Sequence, residues 1–139
     1  MHCPESKDLP STYENIRRLA DLTGPTRESL QELEHEWKPN LPPVTLAMGT
    51  VGRVLAGEVD RISKDEIQAV FDAAESLLLE SDEETKNAVT TGFLESLLAQ
   101  ASAGRLDFRR IGPMLGNESR KYCREWDRFT GVVTEGLDK

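Results

Sequence analysis

Three times in this chain a serine precedes a glutamate by three positions, just ahead of a segment whose apolar residues recur at helical spacing. The pairs are Ser11–Glu14, Ser63–Glu66 and Ser81–Glu84. Each is a capping box, in which hydroxyl and carboxylate bond the backbone amides that a helix's first turn leaves without partners. No window alternates apolar and polar residues with period two over a useful length, so no sheet is expected. The fold predicted is all-α: a compact bundle of six or seven helices around a central helix near residues 82–101.

The periodicity places the helices. The first runs from Thr12 to Leu22 and stops at Thr23-Gly24-Pro25; the second runs from Thr26 to Trp37 and is halted by the proline loop 38–43. Forty residues cannot build a core alone. Residues 11–38 are therefore a helical hairpin docked on a main bundle, 44–131, with 1–10 a loose arm and 132–139 a frayed tail, in one domain spanning 1–139.

A third helix covers Val44 to Arg61 and breaks near Gly57 unless another helix comes close to its glycines. The fourth, Lys64 to Glu80, gathers Ile67, Val70, Phe71, Ala74, Leu77 and Leu78 on one side, with Gln68, Asp72, Glu75 and Ser76 opposite. Leu79 falls on that polar side; the plain expectation is that it tucks under the next turn.

The fifth helix, Asp82 to Ala101, is apolar along Val89, Phe93, Leu94, Leu97 and Leu98. It is small along a second flank, Ala88, Gly92, Ser96 and Ala99, so it is packed from two directions. Asn87 lies in the apolar sector and is expected to be buried, tying down a loop. A short helix from Phe108, capped by Asp107 and interrupted at Gly112-Pro113, leads to the last one, Glu118 to Phe129. There Ser119, Tyr122, Cys123, Trp126 and Phe129 share one face, and Arg120, Lys121, Arg124 and Arg128 form a basic ridge on the other.

Chemistry is sparse. The chain has no G-x-S-x-G, P-loop or G-x-G-x-x-G motif, and two histidines only, His2 and His35. Glu32 and His35 make an E-x-x-H without the second pair a di-metal bundle needs. No cofactor, no metal and no catalytic residue is expected, and the chain is read as a non-enzyme. Cys3 and Cys123 are read as an exposed thiol and a small core residue in a reducing, cytoplasmic setting. No apolar run is long enough to span a bilayer, and MHCPESKDLP resembles no secretory signal.

Charge carries the remaining information. Acidic residues outnumber basic ones by 25 to 17, a net of −8, the wrong balance for a nucleic-acid wrapper. Between Glu58 and Lys86 ten acids face three bases, a net of −7; between Gly104 and Arg128 seven bases face four acids, a net of +3. Helix dipoles account for Asp65, Glu66, Asp82, Glu83 and Glu84 at helix starts. Glu58, Asp60, Asp72, Glu75 and Glu80 are not so explained. With Leu79 as apolar companion they are the candidate partner-binding residues, suited to a basic protein surface.

Two segments carry a resemblance. NAVTTGFLESLL (Asn87–Leu98) and GNESRKYCREWDRFTG (Gly116–Gly131) are similar to the patterns NAVxTGFLExLL and GPxSRxYCREWDxFTG of a small all-helical bacterial family. Its members resemble immunity proteins of polymorphic or contact-dependent toxin systems. The resemblance spans about Val44 to Gly131 and leaves the hairpin without a counterpart. Asn117 replaces the family's proline, and Asn suits a helix start. The resemblance supplies no catalytic residue; Asn87, Thr91, Gly92, Tyr122, Trp126 and Phe129 read as fold determinants. It implies an immunity protein that binds a cognate toxin one-to-one as a monomer and occludes a basic cleft. Neither nucleic acid nor membrane is implied as a partner. The alternative is a helical adaptor with no toxin partner.

Overall fold

The computed structural model describes residues 11–137, so the arm 1–10 and the last two residues of the tail lie outside the described residues. Helices α1 (Ser11–Ala20), α2 (Gly24–Trp37), α3 (Val44–Gly57), α4 (Lys64–Glu80), α5 (Glu83–Asn87), α6 (Glu95–Ser102) and α7 (Asn117–Thr130) follow in order. Two 3-10 turns, Phe108–Arg110 and Gly112–Met114, precede α7. The described residues contain no strand, as the absence of period-two patterning predicts. None of their helices is long and apolar enough to cross a membrane.

Helix starts follow local chemistry at most junctions. Ser63 caps α4 by accepting from the Glu66 amide at 3.1 Å, and Asp107 accepts from the Arg109 amide at 3.0 Å. Thr23 caps α2 by accepting from the Thr26 amide. One capping box is shifted by a residue. Ser81 closes α4 instead, its backbone N–H and its hydroxyl both donating to the Leu77 carbonyl, while Asp82 caps α5 by accepting from the Thr85 amide at 3.0 Å. The bond from the Thr85 amide, and then one from the Thr85 side chain, hold the Asp82 carboxyl below the usual carboxylate range.

Helices α5 and α6 are joined by a π-helical stretch, Ala88–Leu94, without a break in helical backbone angles, giving one rod over 83–102. Ala88, Val89, Gly92, Phe93, Leu94, Leu97 and Leu98 are all buried, so the rod is the central element expected. The π turns widen the helix and rotate residues before them relative to residues after. That is why Asn87, predicted to be buried, is exposed. The hydroxyls of Thr90 and Thr91 both donate to its carbonyl, at 3.2 and 2.6 Å. Ala99, expected on the packed flank, is exposed as well.

The rod's small flank lies against α3. A Cβ on Gly52 would meet the Phe93 carbonyl oxygen at 2.8 Å, and a Cβ on Gly92 would meet the Met48 Cβ at 2.8 Å. Ser96 donates to the Gly49 carbonyl at 3.0 Å across the same seam. On the other flank Phe71 of α4 packs against Phe93, ring centroids 5.6 Å apart. Helix α3 ends at Gly57, where a break was expected in the absence of close contact at that glycine.

The hairpin shares this core. Tyr13, Ile16, Leu19 and Leu30 belong to the same contiguous apolar cluster as Phe71, Phe93 and Leu97. Thr12 donates to Glu84 at 3.0 Å, stitching α1 to the rod. Tyr13 donates to Glu34 at 2.7 Å, and Arg17 bonds the same oxygen at 2.9 Å. Burial, then that carboxylate, holds the Tyr13 phenol above its ordinary range.

The predicted frayed tail is not frayed through its described part. After α7 ends at Gly131, in the left-handed conformation with φ 82°, the chain folds back. Thr134 donates to both carboxylate oxygens of Asp127, and Leu137 is only 2% exposed. Arg120 donates to the carbonyls of Leu137, Gly112 and Leu115 at 3.1–3.2 Å. It therefore works as an internal clamp and is not a member of the predicted basic ridge.

Candidate interaction surfaces

The six candidate partner-binding residues do not form one face. Glu58 follows α3 and pairs with Arg61 at 3.3 Å, and Asp60 pairs with Arg110 beside the first 3-10 turn. Both lie in the connection that leads into the first turn of α4, whereas Leu79 and Glu80 are at the other end of that helix, which is about 25 Å long. Asp72 is exposed and accepts from Gln68 at 2.9 Å. Leu79 is 59% exposed, so it does not tuck under the following turn as expected. Glu80, the last residue of α4, is exposed beside it.

Glu75 turns inward. Its carboxylate accepts from the Glu118 amide at 2.7 Å, the Ser119 amide at 3.1 Å and the Ser119 hydroxyl at 2.9 Å. Helix α7 has no side-chain cap of its own, because Gly116 stands at its N-cap and Asn117 is already helical. A carboxylate from another helix therefore satisfies the orphan amides and meets the positive end of the helix dipole. Glu75 is a structural cap, a correction to its place among the partner-binding candidates.

Much of the acidic window is thus engaged within the molecule. Asp82 caps α5, Glu83 lies 3.9 Å from Lys86, and Glu84 holds Thr12. Of the candidates on α4, Asp72 and Leu79 stay exposed on one side of the helix two turns apart, with exposed Ser76 between them, and Glu80 is exposed at the helix end. Lys64, Asp65 and Glu66 are exposed in the first turn.

A second surface was missed by the periodicity argument. Phe129, placed with the core-facing residues of the last helix, is 90% exposed, and Val133 just beyond the helix is 86% exposed. The motif residues divide accordingly. Gly92 is buried and Tyr122 and Trp126 are half-buried, but Asn87, Thr91 and Phe129 are exposed, so those three are not core determinants. Amphipathic spacing marks a helix face; it does not say that the neighbouring layer extends to the helix's last turn.

Where the two motif segments meet, Tyr122 donates a hydrogen bond to Glu95. Burial, then that carboxylate, keeps the phenol protonated well above its usual range. Cys123, one residue on, is buried, and desolvation pushes its thiol up to about 12. Native protein treated with iodoacetamide at pH 8 is expected to leave Cys123 unlabelled, with full labelling only in denaturant; peptide mass spectrometry reads the site. Rapid labelling of Cys123 in native protein would contradict this burial. The same shift makes the folded state lose stability as pH climbs from about 9 toward about 12, because the unfolded thiol ionises first.

A family model described as "Domain of unknown function (DUF7674)" matches residues 16–131. No curated protein and no solved structure matches the chain. The match begins inside α1, so all of the hairpin from residue 16 on lies within the family's extent, a correction to the narrower span of the motif resemblance.

Proposed function

The chain belongs to the DUF7674 family, and from that premise we propose that it is an immunity protein that binds a cognate bacterial toxin and occludes its active site. The observation that carries this reading is the α4 ridge: Leu79, 59% exposed, with the exposed carboxylate of Asp72 two turns before it on the same side and that of Glu80 next along the chain. Neither carboxylate makes an ion pair among the described residues. An apolar anchor on a helix that also presents two acids without ion pairs suits a basic cleft: opposite charge speeds encounter, and the leucine, once buried, slows release. The motif resemblance to immunity proteins supports the same assignment.

A helical adaptor is the second reading. It is favoured by Phe129 and Val133, exposed on a different element from Leu79, since an adaptor needs two surfaces.

Co-expression with the product of the adjacent reading frame tests the proposal. The expected result is rescue of growth and a one-to-one complex. Asp72→Lys with Glu80→Lys should slow association about tenfold, with the parent's association rate falling as salt rises. Leu79→Ala should instead speed dissociation by about tenfold. Binding without rescue would assign the adaptor role. A complex whose rates ignore all three substitutions would refute the α4 ridge as the contact.

A further inference from the structure

The end of α7 carries a groove that the α4 reading does not use. Between the last turn of the helix and the returning segment 132–137 lies a volume of about 430 Å³, lined by Arg124, Asp127, Arg128, Val132, Val133 and Thr134 among others. Its acid, Asp127, is occupied locally, both oxygens accepting from Thr134 at 2.8 and 2.7 Å, neutral donors that leave its single charge in place against two arginines. Its bases are not so occupied. Arg124 and Arg128 are exposed, one helical turn apart on one side of α7, and neither makes an ion pair among the described residues. Val133 stands on the groove at 86% exposure, and Phe129 projects at 90% from the same helix end. On a chain of net charge −8, this is a local site that is both cationic and apolar.

We propose that this groove docks a short acidic segment of a partner protein, with its carboxylates on Arg124 and Arg128 and an apolar side chain against Val133 and Phe129. The guanidinium fork matches a carboxylate in geometry as well as charge. Symmetric pairing with a second copy would set the same arginines against themselves. A long polyanion such as nucleic acid would also meet the chain's acidic excess.

The test uses the full chain and a fluorescein-labelled peptide alternating Glu with Leu and Phe, read by fluorescence anisotropy. A peptide with Lys in place of Glu is the control. Saturable binding of the acidic peptide alone, weakening as salt rises, is expected. Arg124→Glu with Arg128→Glu should weaken it at least about tenfold, and Phe129→Ser with Val133→Ser should weaken it comparably. All four side chains are exposed, so circular dichroism should be unchanged; the salt dependence of the parent keeps the test valid should a variant misfold. Absence of saturable binding overturns the proposal, as does equal binding of the Lys peptide or indifference to both variant pairs. It is likewise overturned if phosphatidylglycerol vesicles or single-stranded DNA bind and the acidic peptide does not. A dimer in sedimentation velocity that Phe129→Ser dissolves would assign the groove to a second copy instead.

Discussion

Replacing Gly92 by leucine should destabilise the protein by about 3 kcal/mol, the upper end of the usual overpacking cost, although leucine is the better helix former by several tenths of a kcal/mol. The collision begins at the first added carbon. A Cβ at this position would lie 2.8 Å from the Met48 Cβ, 2.9 Å from the Thr45 carbonyl oxygen and 3.3 Å from the Gly49 amide nitrogen. Shortening Met48 leaves its Cβ in place, and two of the three obstacles are backbone, so only separation of α3 from the rod can make room. Gly92→Ala should therefore already cost about 1–2 kcal/mol. Urea denaturation measures both. Wild-type stability in Gly92→Leu would mean that α3 and the rod are not packed at this distance.

Glu75→Ala should cost about 2–3 kcal/mol, more than an ordinary exposed acid, because it leaves two amides and a hydroxyl at the start of α7 without their acceptor. Glu75→Gln keeps the shape but loses the charge that the helix end favours, so about 1 kcal/mol is expected. Gly116 makes the assignment sharper. A Cβ there would meet Glu75 Cδ at 2.3 Å, so Gly116→Ala must displace the carboxylate from the helix end. The two losses overlap. A double-mutant cycle of Glu75→Ala and Gly116→Ala should give a combined cost well below the sum. Additive effects, or a Glu75→Ala as stable as the parent, would show that the carboxylate does not cap α7.

The same residue explains why the acidic window overstated the partner surface. Read along the chain, Glu75 lies on the polar side of α4 with Asp72 and Ser76, and nothing marks it as different. Its partners are 43 and 44 positions away. The sequence carries no warning here, because Asn117 reads as a good cap for a helix starting at Glu118. Only the structure draws Asn117 into the helix and puts Gly116 at the N-cap, which leaves orphan amides to be satisfied from elsewhere. Asp60, paired with Arg110, and Glu84, bonded to Thr12, were hidden in the same way.

Features set by near neighbours were readable from the sequence alone. The all-helical class, the caps at Ser63 and Asp107, the core side of α4 and the tight seam at Gly92 all follow from spacing and from which side chains fit a helix. Those rules act within about one turn, where sequence distance and spatial distance coincide. The tertiary structure alone decided the rest. It set the π-helical stretch that turns Asn87 outward, and it docked residues 132–137 through Asp127 and Arg120. It also left Leu79, Phe129 and Val133 in solvent. Whether an apolar residue is covered depends on how far a neighbouring layer reaches, and that reach is set by contacts between segments far apart in the chain.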